Sequence, residues 1–226
     1  GAGGAGRCQT SSNLLGNMIS LTSTCDDEFA CSENESGDCD YSCYDNGDYS
    51  LEFNGFEYIE GSTSSMDVSN SNQITIGAFV NPSAYTHSLI LQHSSPEGGG
   101  QSQYALQLDE DGKVYFTTAG GAQANGSFEQ DQQNRSNSSI PLNAWSHIAL
   151  TYNNQSIKIF INGILDFEHE ISDNFPTEYD GDSIIGNFYI GLMANGTIPF
   201  IGKIDEISVW DNALNFDQIH DLANGQ

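Results

Sequence analysis

The chain has 226 residues, of which 31 are acidic and 5 are basic, so its formal net charge is −26. This length suffices for one large β-sheet domain with an extension, and the negative charge would repel phosphate backbones and anionic lipid surfaces. No apolar run approaches the length of a membrane-spanning helix, and the first ten residues lack the layout of a signal peptide. We therefore expect no nucleic-acid binding and no membrane insertion.

Residues 1–47 are predicted to form an N-terminal extension, Gly-rich at first and then acidic and Cys-rich. It contains all five cysteines: Cys8, Cys25, Cys31, Cys39 and Cys43. Their spacing matches no zinc site and no histidine lies nearby, so we expect disulfides and an oxidising, extracellular location. The pairing is open, and one cysteine of the five stays free or pairs with another molecule.

The extension also contains a candidate strand at about residues 12–22. Its apolar side chains are Leu14, Leu15, Met18, Ile19 and Leu21. Such a strand can complete the sandwich of its own chain or that of a neighbour. Donation to a neighbour is a head-to-tail contact and builds a filament where the rotation closes no ring.

Residues 48–226 are predicted to form an antiparallel all-β domain, because short alternating apolar segments are separated by turn-forming residues. Strands are expected near 50–59, 73–81, 87–93, 102–109, 113–119, 146–152, 156–162, 183–190 and 199–210. Tight turns at 109–112 and 153–155 predict two hairpins. The polar stretch 120–139 is predicted to be an exposed loop. Asn215 and Gln218 form a capping box for a helix over 216–223 that ends at Gly225.

Three segments, 50–60, 145–166 and 200–222, together resemble the laminin-G-like jelly rolls of the concanavalin-A-like lectin and glucanase superfamily. Residues 75–93 add a fourth similar stretch, so the resemblance covers about 48–226. It implies a jelly-roll sandwich that binds carbohydrate or an extracellular protein. It also implies a structural calcium near the last core strand, where Asp205 takes the position of the motif's aspartate.

Catalysis is not expected. Glucanase relatives place two glutamates and an aspartate at alternate positions of one strand, and this chain has no such strand. The nearest pair, Asp205 and Glu206, is adjacent and should point to opposite faces. No nucleophile motif is present, and the five histidines are scattered.

Aromatic residues supply the candidate ligand contacts. Alternation with Ile148 and Leu150 predicts that Trp145 packs in the core, and Trp210 is expected to do the same. The loop-proximal aromatics that could touch a ligand are Tyr85, Tyr179, Phe188 and Tyr189. Candidate glycosylation sequons begin at Asn34, Asn125, Asn134, Asn137, Asn154 and Asn195.

Two functions follow from these observations. The favoured hypothesis is a non-catalytic extracellular structural or adhesive subunit that forms a homopolymer through its N-terminal strand. The alternative is a monomeric, calcium-stabilised module that binds carbohydrate or protein.

Overall fold

The computed structural model describes residues 50–62, 66–94, 102–117, 134–170, 178–179, 182–183, 186–193 and 196–225. The five cysteines, the predicted assembly strand and the sequons at Asn34, Asn125 and Asn195 lie outside these ranges. The disulfides, the extension's boundary at residue 47 and the assembly strand therefore remain predictions.

The described residues form fourteen strands and one helix. The strands are β1 (Leu51–Asn54), β2 (Ile59–Ser62), β3 (Ile74–Pro82), β4 (Ser88–Ser94), β5 (Ser102–Leu108), β6 (Lys113–Thr117), β7 (Arg135–Ser139), β8 (Ser146–Tyr152), β9 (Ser156–Ile161), β10 (Ile164–Glu170), β11 (Glu178–Tyr179), β12 (Asp182–Ser183), β13 (Asn187–Ile190) and β14 (Ile201–Trp210), and the helix is α1 (Phe216–Ala223). None of the described segments is a helix that is long and apolar enough to cross a membrane.

Two six-stranded antiparallel sheets make up the sandwich. The first sheet has the order β1-β14-β3-β8-β9-β10, and the second has the order β2-β13-β4-β5-β6-β7. β11 and β12 form a separate two-stranded pair. The prediction of an antiparallel sandwich with a short C-terminal helix is therefore confirmed, whereas its disulfide staple is not described.

The core lies between the two sheets, because alternate side chains of each strand point inward. On β3 and β8 the register places Ile76 opposite Leu150 and Ala78 opposite Ile148. Buried side chains of the second sheet, such as Leu106 and Phe116, belong to the same cluster. Full burial of each large aliphatic or aromatic side chain stabilises the fold by about 1.5–3 kcal/mol.

Both predicted hairpins are present. At the β5–β6 turn, Asp109 Oδ1 accepts hydrogen bonds from the N–H groups of Asp111 (2.8 Å) and Lys113 (2.9 Å), and Gly112 has φ +75°. At the β8–β9 turn, Asn154 has φ +63°, a conformation that Asn tolerates better than most residues. In both hairpins the flanking strands pair antiparallel.

The predicted helix is confirmed over 216–223, together with its capping box. Asn215 Oδ1 accepts from Gln218 N–H at 3.0 Å, and Gln218 Oε1 accepts from Asn215 N–H at 3.0 Å. The helix covers the outer face of the first sheet, where Ile219 packs with Ala149 and Phe160.

The predicted strand and loop bounds need four corrections. The segment 50–59 is divided into β1 and β2, because Gly55 turns the chain with φ +99°. The predicted loop 120–139 contains β7, and neither β10 nor β11 was predicted. Asp166, at a bulge in β10, links the edge strands β7 and β10, since its Oδ2 accepts from the N–H groups of Asn137 (2.5 Å) and Ser138 (3.1 Å).

Candidate functional site

One end of the sandwich gathers loops from both sheets. Asn54 lies opposite Ile201, and Gly202 lies opposite Pro82, so the connections after β1 and β3 emerge together. Lys113 lies opposite Ser139 at the same end of the second sheet. We call this the loop end and define it as residues 55–58, 83–87, 109–112 and 140–145.

The loop end carries four of the large exposed aromatic side chains in the described ranges. Phe56 is 84% exposed, Tyr58 53%, Tyr85 37% and Trp145 43%. A fifth, Phe216, is 52% exposed and begins the helix instead. Exposed aromatic rings offer an apolar face, and in Tyr and Trp also a polar edge, to a ligand.

Hydrogen bonds fix three of these loops relative to one another. Tyr85 donates its hydroxyl proton to the carbonyl oxygen of Ile140 at 2.6 Å, and Ile140 N–H donates to the carbonyl of Gly112 at 2.9 Å. Asn143 N–H donates to the carbonyl of Pro82 at 2.8 Å. The loops 83–87, 109–112 and 140–145 are therefore held in place before any ligand arrives, which lowers the entropic cost of binding.

Gly112 makes room for the ring of Tyr85. A Cβ atom built on Gly112 would lie 2.5 Å from the nearest carbon of that ring, and the positive φ of this residue also favours glycine. The close approach of ring and turn leaves Tyr85 only partly exposed while fixing its orientation.

Polar side chains of β5 and β6 brace the same loop at His87. Tyr115 donates its hydroxyl proton to Gln107 Oε1 at 2.7 Å, and His87 Nε2 lies 2.8 Å from the same oxygen. Gln107 Nε2 donates to Thr117 Oγ1 at 3.0 Å. Because these groups satisfy one another, the cluster acts as a support for the loop rather than as a set of free donors.

Charge at the loop end is mainly negative. Glu110 and Asp111 are exposed, while Asp109 is buried and pairs with Arg135 at 2.8 Å between Nη1 and Oδ2. The hydrogen bond from Asn54 N–H to Glu57 Oε2 (2.7 Å) lowers the pKa of that carboxyl, so it is ionised at neutral pH. The aromatic rings thus stand beside several acceptor oxygens.

The prediction that Trp145 packs in the core is wrong. β8 begins at Ser146, as predicted, and Trp145 precedes the inward Ile148 by three positions, so the two-residue period of a strand does not direct it into the core. Trp210 is half-buried and packs over Gly77 on the outer face of the first sheet, away from the main core. The prediction of core packing is therefore wrong for Trp210 as well, because this residue packs on the outer face of the sheet.

The four predicted contact aromatics do not lie together. Tyr85 is in the loop end, whereas Phe188 is 6% exposed and belongs to the core, which corrects its prediction as a ligand contact. Tyr189 is also buried, and its hydroxyl donates to Glu60 Oε1 at 2.9 Å. Tyr179 lies on β11, and its side chain is outside the described part.

Asp205 lies on β14, where its Oδ1 accepts from Glu206 N–H at 2.8 Å. A bulge follows it, and Glu206 has φ +47°, so the strict alternation assumed from the sequence does not hold there. Within the described ranges no three His, Cys, Asp or Glu residues are grouped so that they could hold a metal ion. A calcium ion at Asp205 remains a prediction.

The described sequons differ in accessibility. Asn134 is only 1% exposed, so its prediction as a glycan carrier is wrong for the folded domain. Asn137 on β7 and Asn154 in the β8–β9 turn are exposed. These two therefore remain candidates.

Comparison with solved structures supports the fold. Domain 4 of the Geobacillus stearothermophilus arabinanase AbnA, solved with arabinotriose, is 22% identical, with a TM-score of 0.56 over 84% of this chain and 83% of that one. The CBM40 of the Ruminococcus gnavus IT-sialidase is 19% identical, with a TM-score of 0.59 over 78% and 97%. A putative carbohydrate binding protein from Bacteroides ovatus is 21% identical, with a TM-score of 0.54 over 76% and 45%.

No curated protein sequence matches the chain. A family model does match, over residues 53–220, which is most of the domain that the sequence predicted from residue 48 onward. Its matched range includes the loop end and every strand from β3 to β14. The chain therefore belongs to the concanavalin A-like lectin/glucanase superfamily.

Proposed function

We propose that the chain is a non-catalytic carbohydrate-binding module and that its loop end holds the glycan. The observation that carries this proposal is the exposure of Trp145 and Tyr85 at the same end of the sandwich, on loops that hydrogen bonds fix to one another. The carbohydrate-binding proteins among similar structures support the same class of function.

The chemistry of the loop end suits a sugar. The apolar C–H face of a pyranose or furanose ring stacks on an aromatic ring, while hydroxyl groups need acceptors and donors around the edge. Trp145 and Tyr85 provide such rings, and the exposed carboxylates of Glu110 and Asp111 accept hydrogen bonds from sugar hydroxyl groups. Such charge-assisted hydrogen bonds are stronger than those between neutral groups.

The absence of catalysis is part of the proposal. Asp205 and Glu206 lie on β14, outside the loop end, and their backbone is distorted by the bulge. At the loop end the buried carboxylate, Asp109, is held by Arg135 and by two backbone N–H groups, so its oxygens are engaged within the protein. These features support binding without bond cleavage.

The test is binding of the full chain to an array of oligosaccharides, followed by titration calorimetry with the best ligand. We expect Trp145→Ala to weaken binding at least about tenfold, which is about 1.4 kcal/mol. Phe216→Ala is the matched control, because it also removes an exposed aromatic ring, but outside the loop end. Equal losses in both variants, or full affinity in Trp145→Ala, would place the glycan elsewhere.

Self-assembly through residues 12–22 stays a separate prediction, since that segment lies outside the described ranges. Electron microscopy of the full chain beside a variant lacking residues 1–24 tests it. Filaments from the full chain alone support assembly by the tail. Filaments from the shortened chain would exclude strand donation.

A further inference from the structure

We infer that the loop end selects glycans that carry no carboxylate or sulfate group. This inference rests on the proposed function and specifies its ligand class. It follows from the arrangement of charge in the described part of the chain, where two of the four basic side chains form ion pairs and the other two lie next to acidic residues in the strand register or in the sequence.

Two of these cations are engaged in ion pairs. Arg135 Nη1 is 2.8 Å from Asp109 Oδ2, and Lys158 Nζ is 3.2 Å from Glu168 Oε1. The Arg135 guanidinium also lies over the Tyr115 ring, 5.8 Å from its centroid, which fixes it further. An anionic sugar would have to displace a buried carboxylate, Asp109, before it could use this cation.

The other two cations, Lys203 and Lys113, are near acidic residues through strand pairing and through a backbone hydrogen bond, respectively. Lys203 lies directly opposite Glu52 in the antiparallel register of β14 and β1, where opposite charges attract. Lys113 follows the acidic turn formed by Asp109, Glu110 and Asp111. An anionic ligand near Lys113 would therefore also meet the carboxylates of that turn.

The exposed charges of the loop end would repel an anion. Glu57 lies between Phe56 and Tyr58 in the sequence. Glu110 and Asp111 belong to the turn whose Gly112 approaches the ring of Tyr85. The net charge of −26 adds a long-range repulsion that lowers the local concentration of anions. A glycan without acidic groups meets neither barrier, and its hydroxyls can donate to these carboxylates.

The test compares matched glycans on the full chain. The probes are neutral oligosaccharides, each paired with its sialylated, sulfated or uronic-acid form, for example lactose with sialyllactose. At 20 mM NaCl we expect every neutral oligosaccharide that the chain binds to have at least tenfold higher affinity than its anionic form. At 500 mM NaCl this ratio should shrink, because the screening length falls to a few ångströms.

A pair of charge variants localises the effect. Glu110→Gln with Asp111→Asn should reduce the preference for neutral glycans. Asp211→Asn with Asp217→Asn changes the net charge equally at the other end of the sandwich and should leave the preference nearly unchanged.

Equal or tighter binding of the anionic members would overturn the inference while leaving carbohydrate binding intact. Failure of every neutral and anionic probe to bind would instead overturn the proposed function, and the inference with it. Loss of the preference in both pairs of variants would assign it to the net charge of the molecule and overturn the assignment to the loop end.

Discussion

His147 is a buried base on the outer face of the first sheet. Its side chain packs against Phe79, with 5.0 Å between ring centroids, and its Nε2 lies near Gly77. Burial lowers the pKa of this imidazole to about 4, well below the 6.5 of an exposed histidine. Burial also lowers the pKa of His93, which is fully enclosed in the second sheet.

We predict a pH-dependent contribution of His147 to stability. Between pH 6.5 and about 4 the unfolded chain binds a proton at this residue and the folded chain does not, so stability is lost as pH falls through this window. Relative to His147→Gln, the wild type should therefore lose about 3 kcal/mol of its free energy of unfolding between pH 7 and pH 4.

Chemical denaturation at each pH measures this difference for His147→Gln. His220→Gln is the control, because that histidine is exposed on the helix. Both variants retain the carboxylates whose protonation relieves repulsion at low pH, so this background cancels. A stability difference that stays constant with pH would show that His147 titrates normally in the folded state.

Asn154 is predicted to accept an N-linked glycan when the chain passes through a eukaryotic secretory pathway, whereas Asn134 is not. Asn154 is exposed, and its Oδ1 accepts from Asn72 Nδ2 at 2.7 Å, which leaves its own amide nitrogen directed away from that contact. Peptide mass spectrometry should find a glycan at Asn154 that disappears in Asn154→Gln. A glycan at Asn134 of the folded protein would contradict the buried position of that residue.

At the scale of elements, Gly202 determines how β14 enters the first sheet. Its φ is +140°, and a Cβ atom there would clash with the carbonyl oxygen of Asn81 on β3. The strand therefore approaches β3 closely only because this residue has no side chain.

We predict that Gly202→Ala destabilises the domain by at least about 2 kcal/mol, from backbone strain together with this clash. Gly196→Ala is the matched control, because Gly196 also has a positive φ (+77°) but has nothing within 4 Å of its Cβ position. The control should cost about 1 kcal/mol. Thermal or chemical denaturation measures both, and equal losses would mean that the contact with β3 adds no strain.

The sequence predicted the elements whose signals are local. The acidic turn at 109–112 and the capping box of Asn215 and Gln218 each place a specific side chain on a nearby backbone N–H, so a few residues suffice. β7 gives no such signal, since its sequence Arg-Ser-Asn-Ser-Ser has no apolar alternation and depends on pairing with β6. The bulge between Leu165 and Phe167 interrupts the period of β10 in the same way.

The candidate site was less predictable than the strands, because it depends on how distant segments meet. Trp145 was misassigned although its strand was predicted correctly over 146–152, because a residue three positions before the inward Ile148 does not share its face of the strand. Phe188 is buried because Gly61, its partner on the neighbouring strand β2, has no side chain and leaves room for the ring. The relation between Phe188 and Gly61 is not visible in a single segment, because it joins two distant strands.

At the scale of the whole molecule, the two ends of the sandwich have different chemistry. The loop end carries four exposed aromatic residues, whereas the β8–β9 turn with Asn154 lies at the opposite end. A glycan attached at Asn154 would therefore leave the proposed binding surface uncovered.

The net charge of −26 makes stability sensitive to salt. Like charges repel at a distance in the compact state, and salt shortens the reach of that repulsion from about 30 Å at 0.01 M to about 8 Å at 0.15 M. We expect the melting temperature to rise between 20 and 500 mM NaCl at pH 7, by about 2–4 °C for each kcal/mol of repulsion removed. A melting temperature that stays constant or falls would show that the carboxylates are too widely spaced to interact.

The same measurement separates screening from a specific calcium site. At constant ionic strength, calcium and magnesium screen equally, whereas a bound ion stabilises by mass action in addition. If Asp205 is a calcium ligand, CaCl2 will raise the melting temperature above the value in MgCl2, and Asp205→Asn will remove that difference. Identical curves in the two salts would assign the whole effect of divalent ions to screening and exclude the predicted calcium site at Asp205.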